Sequence, residues 1–144
     1  MSEPYQRILS LDVGTKTIGI AIGHFRTELS EPVMTLARQS VRKDTIKILD
    51  IAHRRVIDHV VVGLPLQLDG TEGRSARLAR QIGEAIRADG TYAVSFYDET
   101  YSTIEASERL RQSGKNSRSQ KDIIDQAAAM VIVEDWIRAC KKSL

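Results

Sequence analysis

Two alternating runs near the start of this chain limit what it can fold into. From Arg7 to Val13, Leu9, Leu11 and Val13 alternate with Ile8, Ser10 and Asp12; from Thr17 to Gly23, Ile18, Ile20 and Ile22 alternate with Gly19 and Ala21. A period of two rich in branched residues marks strands. Only Gly14-Thr15-Lys16 separates the runs, so a hairpin is expected, with Asp12 facing away from Leu9 and Leu11. A third apolar stretch, Val33, Met34 and Leu36, follows Pro32. Proline has no N–H for a ladder, which suits the entry of a strand and not its centre.

Helical spacing then takes over. Arg42 to Arg55 sets Ile46, Ile48, Leu49 and Ala52 among charges, an amphipathic helix. His59-Val60-Val61-Val62-Gly63 is a continuous run of the kind buried on both faces of a covered sheet. A loop from Leu64 to Gly73 leads to a helix carrying Leu78, Ile82 and Ile86, which Asp89-Gly90 stops. The strand Ala93 to Tyr97 runs into Asp98-Glu99. Ser102 stands three residues before Glu105, a capping-box spacing, so a helix is expected from about Thr103 to Gln112, then a polar loop from Ser113 to Arg118. A helix of about 20 residues opened by Ser119 closes the chain. The order β-β-β-α-β-α-β-α-α predicts an α/β fold of ribonuclease H-like topology, a mixed five-stranded sheet covered by helices. At 144 residues, 42% apolar, one domain over 1–144 is expected.

Several classes drop out. The longest apolar run, Ala127 to Val133, is far short of the ~20 residues that cross a bilayer. The first residues lack the basic start and apolar stretch of an export signal, so a cytoplasmic protein is expected. Cys140 is a single cysteine, and His24, His53 and His59 are the only histidines, which disfavours disulfides and zinc. A net charge of +2 gives no overall field for an anionic partner. Any basic surface must be local.

Three places carry acids where strands end or where a helix turns inward. Asp12 closes the first strand before Gly14, although Asp before Gly also suits a plain turn. Asp98 and Glu99 end another strand, and because strand neighbours point to opposite faces only one of them shares a site with Asp12. Asp125 lies on the helical stripe of Ala129, Ile132 and Trp136, aimed at the core. A carboxylate placed there needs a basic side chain, a metal or backbone donors beside it. Three carboxylates on separate elements suit a hard cation, Mg²⁺ or Mn²⁺. Such ions activate water and stabilise the leaving oxygen of a phosphodiester. Arg109, Arg111, Lys115, Arg118 and Lys121 form an acid-free stretch that can grip phosphates. Arg74, Arg77 and Arg80 could add to that track but read first as a solvated helix face.

Four segments, in this order and spacing, resemble the YqgF/RuvX family of Holliday junction resolvase-like nucleases. They are Leu11-Asp12-Val13-Gly14-Thr15-Lys16 with Ile18-Gly19-Ile20-Ala21, Val61-Val62-Gly63-Leu64-Pro65 with Asp69-Gly70, Asp98-Glu99 with Ser102-Thr103 and Ala106, and Lys121 with Asp125 and Ala127-Ala128. The resemblance implies a cytoplasmic divalent-metal nuclease that matures the 5′ end of small-subunit ribosomal RNA precursor, in contact with ribosomal particles, or acts on branched DNA. By position, Asp12, Glu99 and Asp125 are implied as metal-binding catalytic acids, with Asp98 the rival of Glu99. Thr15, Lys16, Ser102, Thr103 and Lys121 are implied on the substrate side, where the basic stretch adds Arg118. The sequence departs from the family at Thr17 and Thr100, where basic residues are common, and at Gln67, where asparagine is. Two rivals stand beside this reading. Asp12-Val13-Gly14-Thr15 also resembles the phosphate loop of sugar kinases and actin-like ATPases, which need two such lobes, and a non-catalytic RNA-binding module is the other.

Overall fold

The computed structural model describes residues 5–67, 69–98 and 118–143, with residues 118–122 in backbone only. The expected helix over 103–112 and the loop after it lie outside the described residues.

The two alternating runs form the hairpin. Strand β1 (Arg7–Val13) pairs antiparallel with β2 (Thr17–His24), in the register Leu11↔Ile20 and Asp12↔Gly19. Strand β3 (Ser30–Ala37) adds to β2 at the sheet edge. Pro32 lies inside this strand and not at its entry, a correction to the sequence expectation. It is tolerated because β3 is an edge and because the register shifts between Ile20 and Ala21, opposite Pro32. Strands β4 (His59–Leu64) and β5 (Val94–Asp98) run parallel to β1, giving the order β3-β2-β1-β4-β5.

Helices cover both faces. Helix α1 (Val41–Arg54) is capped by Ser40, whose side chain accepts from the Lys43 N–H, and α2 (Arg74–Asp89) ends at Gly90 in the left-handed region. Both pack on the face of Leu9, Leu11, Ile18, Ile20, Val60 and Val62. The last helix, α3 (Arg118–Lys142), covers the other face, where Ile132, Val133, Trp136 and Ile137 meet Ile8, Phe25 and Val61. At 25 residues α3 is longer than the expected 20. Among the described residues no helix is long and apolar enough to cross a membrane.

The α3 face of β2 is made of small residues for a reason. A Cβ on Gly19 would lie 2.0 Å from the Asp125 carbonyl oxygen, and one on Gly23 would lie 2.5 Å from Val133. Glycine there lets α3 rest its backbone on the strand. Ser10, fully buried on β1, donates to the Ala129 carbonyl at 2.7 Å and fixes the helix along its axis.

Candidate active site

Alternation along β1 sends Ile8, Ser10 and Asp12 to the α3 face, so Asp12 emerges beneath that helix. Its cross-strand partner is Gly19, the residue against which the Asp125 backbone lies. The two acids thus come from a strand end and a helix, brought together by one glycine contact. Burial and then the charge of Asp125 push the Asp12 carboxyl up to about 7.

Asp125 has a specific partner. The Thr17 hydroxyl donates to Asp125 Oδ2 at 2.6 Å, and among the described residues no lysine or arginine forms an ion pair with Asp125. The sequence flagged Thr17 only as a departure. The missed signal was parity: Thr17 shares a face with Gly19, and that face receives Asp125.

Thr15 and Lys16 sit in the turn between β1 and β2, closed by Gly14 N–H donating to the Thr17 carbonyl at 2.8 Å. This turn is held from the side by Arg38, which sequence reasoning passed over. Its Nη1 donates to the Gly14 carbonyl at 3.1 Å, its backbone N–H donates to the Lys16 carbonyl at 2.9 Å, and its Nε pairs with fully buried Asp44 at 3.2 Å. Asp44 shares the inward stripe of α1 with Ile48 and Ala52, the same signal that singled out Asp125.

Asp98 is the last residue of β5 and is exposed. Alternation puts it with Val94 and Phe96 on the α1/α2 face, away from Asp12. Glu99, Ser102, Thr103 and Thr100 lie outside the described residues. Arg118 and Lys121 stand on the first turns of α3, with their side chains outside the description. Gln67 braces the loop before α2, where its Oε1 accepts from the Thr71 hydroxyl at 3.0 Å.

Among the described residues no three acids, histidines or cysteines converge on a metal position. The donor chemistry of the two that do meet fits a hard cation. Both are carboxylates, and burial first and the neighbouring Asp125 charge second raise Asp12 to about 7; a divalent ion would offset both.

The sheet order and the crossing of α3 over β1 and β2 place the protein in the ribonuclease H-like class. Solved structures agree: RuvC of T. thermophilus with a Holliday junction substrate aligns with a TM-score of 0.57 at 14% identity, covering 95% of this chain and 96% of that one. Fowlpox virus resolvase with Holliday junction DNA aligns at 0.55 and 10% identity, over 94% and 99%. The family model described as "RuvX: Holliday junction resolvase" matches residues 6–139, and the chain belongs to this family. A relative from Anaeromyxobacter dehalogenans (strain 2CP-1 / ATCC BAA-258) is 37% identical over 131 residues, 91% of this chain and 96% of its own length. One from Myxococcus xanthus (strain DK1622) is 32% identical over 133 residues, 92% and 88%. Both are named "Putative pre-16S rRNA nuclease".

Proposed function

We propose that the protein is a divalent-metal nuclease that hydrolyses phosphodiester bonds, with the 5′ end of pre-16S ribosomal RNA as its leading substrate and branched DNA as the second. The names of its relatives supply pre-16S ribosomal RNA and the family description supplies the junction, while the 5′ end is what the resemblance implies. The observation that carries the chemistry is the meeting of Asp12 and Asp125 beneath α3, where the Asp125 backbone lies on Gly19, the cross-strand partner of Asp12, and where burial and then the Asp125 charge raise Asp12.

Bound Mg²⁺ or Mn²⁺ supplies an activated water and charge stabilisation for the leaving oxygen. Asp12 and Asp125 would hold the ion, with Glu99 the third acid; the orientation of Asp98 away from the site favours Glu99 over it. Asp12 must first give up its proton. Thr17 holds Asp125 Oδ2 and so fixes which carboxylate edge faces inward. The turn of Thr15 and Lys16, clamped by Arg38, offers a cation and a hydroxyl at the same sheet end, and Ser102, Thr103, Arg118 and Lys121 complete the substrate side. The setting is the cytoplasm, on or near ribosomal particles.

The test is cleavage of labelled precursor ribosomal RNA, single-stranded RNA and a four-way DNA junction by the wild type and Asp12→Asn, with Mn²⁺, Mg²⁺ or EDTA. Metal-dependent cutting that the variant loses, leaving 5′-phosphate and 3′-hydroxyl ends, is expected, and the substrate cut decides RNA against DNA. Cyclic 2′,3′-phosphate ends would rule out the metal-water mechanism. Equal RNA binding by both proteins with no cleavage would make the protein a binding module.

A further inference from the structure

Strand β3 is parallel to β1, since both run antiparallel to β2. Helix α1 therefore begins at the sheet end where Asp12 lies, and α2, which follows β4, begins there too. Their first two turns carry Arg42, Lys43, Lys47, Arg74 and Arg77, all exposed, and among the described residues none of them pairs with a carboxylate. Of the acids nearby among the described residues, two are neutralised, while Asp98 at the end of β5 is exposed on the same face. Asp44 is buried against Arg38, and Glu72 pairs with Arg80; Asp69, in the loop before α2, keeps its charge. In a chain of net charge +2, five such cations at one edge are a strong local concentration.

Stability does not account for this placement. The start of a helix is its positive end, where acids stabilise and cations destabilise, yet the first turn of α2 holds no acid and two arginines. Arg42, Lys43, Arg74 and Arg77, kept in first turns where they cost stability, need another reason, and Lys47 continues the same edge one turn on. We infer that Arg42, Lys43, Lys47, Arg74 and Arg77 form a cationic rim that grips the phosphodiester backbone of the substrate beside the cleavage site, on the α1/α2 side of the sheet. This inference rests on the nucleic-acid reading above and adds to it a surface of which Arg74 and Arg77 read first as a solvated helix face.

Rim and solvated face predict different combinations of two measurements. Binding of a fluorescent RNA hairpin and a four-way DNA junction is measured in EDTA across a salt series, alongside melting temperature. The proteins are the wild type, Arg42→Glu/Lys43→Glu, Arg74→Glu/Arg77→Glu, and a control, Arg54→Glu/Arg55→Glu, which makes the same charge change at the far end of α1. The rim variants are expected to melt about 3 °C higher, because acids now sit at helix starts. They are also expected to bind at least about tenfold more weakly, with a salt slope shallower by roughly 0.7–0.9 for each phosphate that is no longer neutralised. A larger drop in affinity for the hairpin or for the junction identifies the nucleic acid the rim suits. Unchanged affinity in the rim variants, or an equal drop in the control, overturns the inference while leaving the nuclease reading intact. A wild type that binds neither probe overturns both.

Discussion

Burial and Asp125 raise Asp12 from 3.8 to about 7, so without metal the folded protein holds a proton that the unfolded chain releases. The contribution of Asp12 to stability is therefore full below about pH 4 and is lost as pH rises through about 7. Asparagine mimics the protonated acid at every pH. In metal-free buffer Asp12→Asn is expected to melt with the wild type near pH 4 and above it by pH 8, and Mn²⁺ is expected to raise the wild-type melting temperature more at pH 8 than at pH 6. Parallel pH profiles for the two proteins would show that Asp12 titrates normally. At this scale the sequence was legible for Asp12 and Asp125, whose positions in alternating and helical patterns forecast their direction. It was silent on Arg38, because a guanidinium reaching another element leaves no periodic trace, and Thr17 was missed although its parity with Gly19 put it on the face that receives Asp125.

Elements show a different balance between pattern and packing. Both hairpin strands, β4 and the stop of α2 at Gly90 follow from local chemistry, whereas β3 runs through Pro32 because edge position and a register shift, both properties of the sheet, remove the penalty. The end of α1 carries a local conflict. Val56 N–H donates to the His53 carbonyl at 3.2 Å and Ile57 N–H to the Ala52 carbonyl at 3.0 Å, the paired bonds of a Schellman ending. The turn puts Val56 at φ 55°, and it is 75% exposed. A branched residue is strained there by ~1–2 kcal/mol, and no burial offsets it. Val56→Gly is expected to stabilise the protein by ~0.5–1 kcal/mol after the entropy that glycine loses on folding, seen as an upward shift of the denaturation midpoint. A drop would mean that the valine makes contacts in solution that outweigh its backbone strain.

Across the whole molecule, one histidine ties together the end opposite the acids. His59 opens β4, lies 2.8 Å from Ser95 Oγ through Nε2, stacks on Trp136 at 5.0 Å and 14°, and meets Tyr5 at 4.8 Å. It thus joins the N-terminal segment, two strands and α3. Burial lowers its pKa below the ordinary 6.5, with Asp58 opposing. The stability His59 contributes is present above about pH 6.5 and is lost as pH falls through its lowered value. With metal bound, so that Asp12 no longer opposes, melting temperature is expected to fall on acidification below about pH 6.5, and His59→Gln is expected to flatten that limb. An unchanged acid limb in the variant would assign the loss to other groups.

The contact between Gly19 and the Asp125 carbonyl sets the separation of the two acids by main chain against main chain. Side chains can change rotamer and recover, but a backbone contact cannot be loosened without lifting α3 from the sheet. The pair therefore has no partly assembled form: the spacing of Asp12 and Asp125 and the docking of the last helix are a single cooperative event.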